Sequence, residues 1–265
     1  MAKRAVISQL TIVLVVTLFF SCEKQEFYPL SSTNPDAESA RLSSANSSAL
    51  PNQSIYYWAD LLVRNVLPAN NVYDTSRDSV TWAGQNGARI YFSATVCSGF
   101  LTKLLIQTYG YSTSYFRTWT GSTNPHASNY YNEIITRDHF TNITAVSQIK
   151  QGDIIAMQYP AGTSTSTGHV MVVVAPPTLR TASAPLVTGT SQYEVQIMDC
   201  SSTGHGSSDT RYVSSGVWNT GVGRGIFRLY VAANGTISGY SWSTYSSSVY
   251  YRQTDRPLAV GRLIP

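Results

Sequence analysis

Cys97 stands in the run Val96-Cys97-Ser98-Gly99-Phe100, ahead of Phe100, Leu101, Leu104, Leu105 and Thr108, which trace one helical face up to Gly110. That periodicity predicts a helix within residues 91–109, with Ser93 or Thr95 as N-cap and Cys97 in the first turn. A thiol at a helix N-terminus is favoured as the thiolate, and the free N–H groups there can hold an oxyanion. Such a nucleophile needs a base. His169 opens the apolar run His169-Val170-Met171-Val172-Val173-Val174 after a Gly/Ser/Thr-rich loop, so it sits at the mouth of a strand that can reach a helix N-terminus. One strand later, Val195-Gln196-Ile197-Met198-Asp199 ends in a carboxylate able to hold the imidazole in one tautomer. Cys97, His169 and Asp199 are therefore the catalytic candidates.

Plainer readings stand beside each. Cys97 is equally of a type found buried in cores, and in an oxidising compartment it would pair with Cys200 as a disulfide. Strand alternation opposes that pairing, because Cys200 faces away from whatever Asp199 faces. A lone His is more often structural, and an Asp at a strand end is often a turn residue. Asp199, His205 and Asp209 are ligand types a metal accepts, but no second His stands at fixed helical spacing, so neither metal nor cofactor is expected. His205 is a candidate for the substrate side or for an alternative orienting group. Arg211 and Arg224 offer guanidinium groups for a substrate carboxylate. Ser98, small and next to the nucleophile, leaves room for a substrate backbone.

The order and texture of Cys97-Ser98-Gly99-Phe100, Gln151-Gly152-Asp153-Ile154-Ile155 and Gly168-His169-Val170 resemble the NlpC-type and CHAP-type papain-like cell-wall hydrolases. The resemblance spans roughly residues 88–199. It implies that the Cys caps a core helix, that Gly-Asp opens the first sheet strand and that the His opens the next. It also implies cleavage of amide bonds in peptidoglycan peptides. Those families place a Tyr upstream of the nucleophile, which makes Tyr91 a candidate for lining the cleft. Three departures stand out: Val96 where an Asp usually precedes the Cys, Asp199 where His, Asn or Gln is more usual, and residues 201–265 without a counterpart. The rival class is a surface binder of glycan or peptide on the same scaffold without turnover. A third use of the triad is acyl transfer to an amine.

Several elements must position these residues. Ile55, Trp58, Leu61, Leu62 and Val66 recur at helical spacing before Pro68, and residues 129–140 predict a shorter helix. Beyond Gly152 the period shortens to strands over 153–158, 169–175, 193–199, 225–231, 237–243 and 258–263, with Asn234-Gly235 as a hairpin turn. Helices first and strands afterwards predict an α+β fold, papain-like, with N-terminal helices packed on an antiparallel β-sheet.

The beginning of the chain reads as an address. Met1–Arg4 is basic, residues 5–20 are nearly all apolar, and Ser21-Cys22 resembles the lipobox of bacterial lipoproteins. The expectation is a signal peptide over 1–21, lipidation at Cys22 and a membrane anchor through that lipid. A Ser/Asn/Pro-rich tether follows over 22–53, then a hydrolase domain over 54–265. An uncleaved single-span anchor is the competing reading of the same segment. Only 12% of residues are charged, which suits an extracytoplasmic protein. The net charge of +4 falls by two once Lys3 and Arg4 are removed, too little for a nucleic-acid partner. The expected partner is peptidoglycan or another peptide substrate in the cell envelope, periplasmic or surface-exposed.

Overall fold

Ser54 begins the described part of the structure, a computed structural model that describes residues 54–162 and 166–265. The leader, Cys22 and the tether lie outside the described residues. The Ser54 hydroxyl accepts a 3.1 Å hydrogen bond from the Tyr57 amide and caps helix α1 (Ile55–Asn65), whose Trp58, Ala59 and Leu62 are buried. A small sheet follows, in which β1 (Asn71–Tyr73) and β2 (Ser79–Thr81) flank β3 (Phe92–Thr95). Helix α2 (Cys97–Tyr109) leaves β3 directly and stops at Gly110. Two shorter helices, α3 (Thr113–Thr120) and α4 (Ala127–Thr136), complete the helical part.

The large sheet uses most of the remaining chain. Its strands are β4 (Phe140–Ile143), β5 (Ile154–Gln158), β6 (Gly168–Val173), β7 (Thr178–Leu179), β8 (Thr190–Ser201), β11 (Gly221–Ala232), β12 (Ile237–Ser241), β13 (Tyr250–Arg252) and β14 (Leu258–Leu263). All pairings are antiparallel, in the order β13-β12-β11-β8-β6-β5-β14-β4, with β7 on the side of β8. Strands β9 (Tyr212–Ser214) and β10 (Val217–Trp218) form a separate hairpin.

Alternation sorts the strands into two cores. Val170 and Val172 of β6 and Met198 and Cys200 of β8 meet the helices. Met171, Val173, Val195, Ile197, Phe227 and Leu229 form a second core with Ile155 and Val260. The sheet covers this second core itself. A bridge between Ala145 and Thr236, with the Val146 amide donating to the Gly235 carbonyl at 3.0 Å, brings the segment after β4 to the β11–β12 turn.

The expected papain-like α+β fold, with N-terminal helices packed on an antiparallel sheet, is corrected by this architecture. Among the described residues the protein is mainly β, 34% strand against 23% helix, with fourteen strands whose pairings are antiparallel except that of β1 with β3. Three physical reasons account for the difference. Residues 71–95 carry three short strands, β1 to β3, between turns rich in Asp, Asn and Gly. β8 and β11 run for 12 residues each, their ends rich in Gly, Ser and Thr, so their apolar runs understate their length. Residues 201–265 contribute six strands and six of the fifteen buried residues of the self-covered core. Among the described residues no helix is long and apolar enough to cross a membrane.

Candidate active site

Cys97 is the first residue of α2, with Val96 as the extended N-cap and no side chain capping that end. The backbone amides of the first turn are thus left without a capping side chain. Gly168 sets up the opposing strand. Its φ of +155° and a position where a Cβ would collide with the Met157 carbonyl oxygen admit only glycine. His169 follows. By alternation His169 and Asp199 continue the inner-face series of Met171 and Ile197 to the ends of their strands, where the inner core opens to the cleft.

The three sequence candidates meet there. The His169 Nε2 lies 2.6 Å from Asp199 Oδ2, which leaves Nδ1 for the sulfur, and the imidazole hydrogen-bonds Cys97. The Val170 backbone also hydrogen-bonds the sulfur. Trp242 holds the imidazole edge-on, with ring centroids 4.9 Å apart. Cys97 and His169 are about 5% and 6% exposed, enough for the pair to border the cleft while excluding bulk water.

Asp199 is wholly buried, and its partners explain why it stays charged. Arg211 Nη2 donates to Oδ1 at 2.7 Å, and His205 Nε2 lies 3.0 Å from Oδ2. Arg211 also binds both oxygens of Asp209, at 2.9 and 2.8 Å, and donates to the Gly221 carbonyl at 3.0 Å. The His205 ring stacks on Trp242 at 4.2 Å, and its Nδ1 lies 2.6 Å from the Trp242 carbonyl. Strand β11 crosses close behind: a Cβ on Gly225 would stand 2.5 Å from Asp209 Oδ2 and 2.6 Å from His205 Cβ.

Electrostatics polarise the pair. Burial alone pushes the Cys97 thiol up, but the charge and hydrogen bond of His169, with the Val170 contact, overcome it and bring the thiol below its ordinary value. Burial pulls His169 down, yet the Cys97 sulfur and Asp199 push it up to about 10. Asp199 is pulled well below the carboxylate range despite burial, by Arg211, His205 and His169. Cys200 moves the other way. Burial, with Asp199 and Cys97 nearby, raises it well above the ordinary thiol, and its Sγ donates to the Thr95 carbonyl at 3.2 Å. The two cysteines thus differ in kind, one lowered by the imidazole beside it and one raised in the core.

Two cavities flank the pair and share Tyr73 and Gly168. One, of about 500 Å³, is lined by Cys97, Ser98, Asp78, His126 and Thr167. The other, of about 300 Å³, is lined by His169, Trp242, Tyr159, Tyr251 and Arg256.

The candidate residues fare differently. Cys97, His169 and Asp199 come together, and Ser98 lines the larger cavity. Tyr91 does not reach it: the residue is half-buried against the helix-side core, and Tyr73 occupies the cleft instead. His205 is fully buried behind Asp199, which gives it the orienting place and not the substrate side. Both described cysteines are free, so the disulfide alternative is corrected too, and Cys200 lies on the opposite sheet face from Asp199. Asp209 and His205 are tied up by Arg211 and the Trp242 carbonyl, and no metal-holding group of His, Cys, Asp and Glu occurs among the described residues. Arg211 is buried under Asp199 and Arg224 pairs with Asp60. Tyr73, Trp242 and Arg256 escaped the sequence reading.

Fold and site together define a mainly β protein with a buried Cys–His–Asp cluster opening on a two-armed cleft. The chain belongs to the same family as the uncharacterized protein R653 of Acanthamoeba polyphaga mimivirus, to which it is 34% identical over 223 residues, 80% of this chain and 96% of the viral protein. No family model matches the chain, and no solved structure does.

Proposed function

We propose that the protein is a cysteine-dependent hydrolase of peptide amides, with Cys97 as nucleophile, His169 as acid and base, and Asp199 as orienting group. The observation that carries the reading is the polarised Cys97–His169 pair at a helix N-terminus on the wall of a cleft. The Cys97 thiolate attacks the amide carbonyl carbon and forms the C–S bond while the carbonyl electrons move to oxygen. Backbone N–H groups at the start of α2 and the Tyr73 hydroxyl, on the cleft wall, supply donors for that oxyanion. His169 gives its proton to the departing nitrogen as the C–N bond breaks, leaving a thioester and a free amine. Water then attacks the thioester with His169 taking its proton, and the C–S bond breaks to return the thiolate and release a carboxylate. His169 recovers its charge with the proton it takes from that water, and the remaining proton of the acid passes to solvent. Asp199 keeps Nε2 engaged throughout, and Arg211 and His205 keep Asp199 in place.

Peptidoglycan peptides are the first substrates to assay. The resemblance of the Cys97, Gly152-Asp153 and His169 segments to cell-wall hydrolases supports them, as does the lipoprotein-like leader of residues 1–22. The test is the rate of Cys97 alkylation by iodoacetamide against pH, followed by intact mass, with His169→Ala and Cys200→Ser alongside. Fast labelling well below pH 8 that slows on loss of His169 is expected, together with thiol-dependent release of new amines from peptidoglycan fragments. A thiol titrating near the free value of about 8.5, indifferent to His169, defeats the reading.

A further inference from the structure

The smaller arm of the cleft carries an arginine held in an unusual way. Arg256 lies in the turn between β13 and β14, which is fixed by its own amide donating to the Arg252 carbonyl at 3.0 Å and by the Gln158 amide donating to Pro257 at 2.9 Å. Its guanidinium sits between two rings, 4.6 Å from the centroid of Tyr159 and 4.3 Å from that of Tyr251. Among the described arginines that are not exposed, Arg180, Arg211, Arg224 and Arg262 pair with carboxylates and Arg228 with backbone carbonyls. Arg256 has no carboxylate partner among the described residues. The two rings restrict the guanidinium, Tyr240 also lies beside it, and Arg256 remains on the lining of the arm. Five aromatic side chains line the arm together with Ser201 and Thr203, it also holds His169, and Tyr159 lies within electrostatic reach of both Cys97 and Arg256.

We propose that Arg256 binds a carboxylate of the peptide substrate, so that the protein selects acidic peptides; this inference rests on the amide-hydrolase reading. Planar, bidentate pairing in a half-buried aromatic setting is the task for which a pre-oriented guanidinium is suited. The carboxylate belongs either to the C-terminus of the peptide or to an acidic side chain.

The test measures binding by titration calorimetry to the full chain carrying Cys97→Ala, which removes turnover. Three probes separate the sources: N-acetyl-alanyl-alanine with a free C-terminus, N-acetyl-glutamyl-alanine amide and the neutral N-acetyl-glutaminyl-alanine amide. At least one acid is expected to bind roughly tenfold or more tighter than the neutral probe, in line with a charge-assisted hydrogen bond. Arg256→Gln should abolish that preference, and Arg256→Lys, a milder change, should reduce it. Equal binding of all three, no binding by any, or a preference that survives Arg256→Gln overturns the proposal. Failure of the hydrolase reading shows separately, as Cys97 alkylation indifferent to pH and His169 while the acid preference persists.

Discussion

Replacing Arg211 with Met tests whether the buried charge cluster positions the site or merely fills space. Arg211 is 2% exposed and serves two carboxylates, Asp199 at 0% and Asp209 at 4% exposure, through three hydrogen bonds of 2.7 to 2.9 Å. Solvent cannot screen what is lost, so the surface discount on ion pairs does not apply. Removing one partner of a buried pair costs about 3–5 kcal/mol, because the uncompensated charge remains behind. Here two charges remain, although His169 and His205 still face Asp199, which argues for the middle of that range. Set against a total stability of about 5–15 kcal/mol, the loss is large but survivable. It corresponds to a fall in Tm of roughly 6–20 °C for a domain of this size. Urea unfolding at neutral pH supplies the number. The sign with pH is fixed as well. Arg211 holds Asp199 low, so its contribution is present above the unfolded value of about 3.9 and is lost as pH falls through the folded one. The gap between wild type and Arg211→Met should therefore narrow in acid. A loss under about 1 kcal/mol, or a gap that widens as pH falls, would refute the account of Asp199 as a charge held by Arg211.

Losing His169 to Ala leaves Cys97 as a buried thiol with only the Val170 contact, so its alkylation at pH 6 should slow by roughly two orders of magnitude, read by intact mass. His205→Phe keeps a ring on Trp242 but removes the contact to Asp199; hydrolysis should fall about tenfold while Cys97 alkylation stays fast, because His205 touches the orienting carboxylate and not the sulfur. Gly168→Ala cannot hold its φ of +155° beside the Met157 carbonyl, so hydrolysis should be lost together with about 1–3 kcal/mol of stability in urea. The Cys97–His169 pair also shapes stability against pH. Taken alone, His169 stabilises fully below about 6.5 and loses that as pH rises to about 10, whereas lowered Cys97 stabilises above about 8.5 and loses that as pH falls. The two slopes oppose each other within the window between about 6.5 and 8.5, and above it only the loss from His169 remains, so the difference between wild type and Cys97→Ser should shrink by pH 10. A maximum outside that window in urea titrations would contradict the thiolate–imidazolium assignment.

The catalytic candidates were legible because each is announced by its immediate neighbours. Cys97 precedes an apolar helical stripe, His169 heads an apolar strand, and Asp199 ends one. What surrounds them was not, because nothing local marks it. Trp242 reaches His169 and His205 from just beyond β12, and Arg211 reaches Asp199 from the loop before β9. Tyr73 and Arg256 arrive from opposite ends of the domain. Residues 91–96 read as the start of a helix, yet Phe92–Thr95 pairs with β1 and β2, since aromatic and β-branched side chains take whichever extended partner is offered. Helix α3 was missed for a related reason. Thr, Ser and Tyr are weak helix formers, and the helix stands on an aromatic cluster in which Tyr111 meets Tyr115 at 4.3 Å and Phe116 meets Trp119 at 5.9 Å.

The two cores explain why the site lies where it does. Cys97 belongs to the helix-side core, while His169 and Asp199 end the series that fills the core the sheet covers itself. A slip of one residue in the β6 register would turn His169 to the other face together with Met171 and Val173. The position of the base is therefore guarded by the burial of two large side chains, not only by its bond to Asp199. The same parity sends Cys200 to the helix side, next to the Thr95 carbonyl and away from the inner face that carries Asp199. One alternation thus supplies the pair of cysteines with opposite fates: the residue at the helix N-terminus receives the imidazole, and the residue within the strand receives only burial.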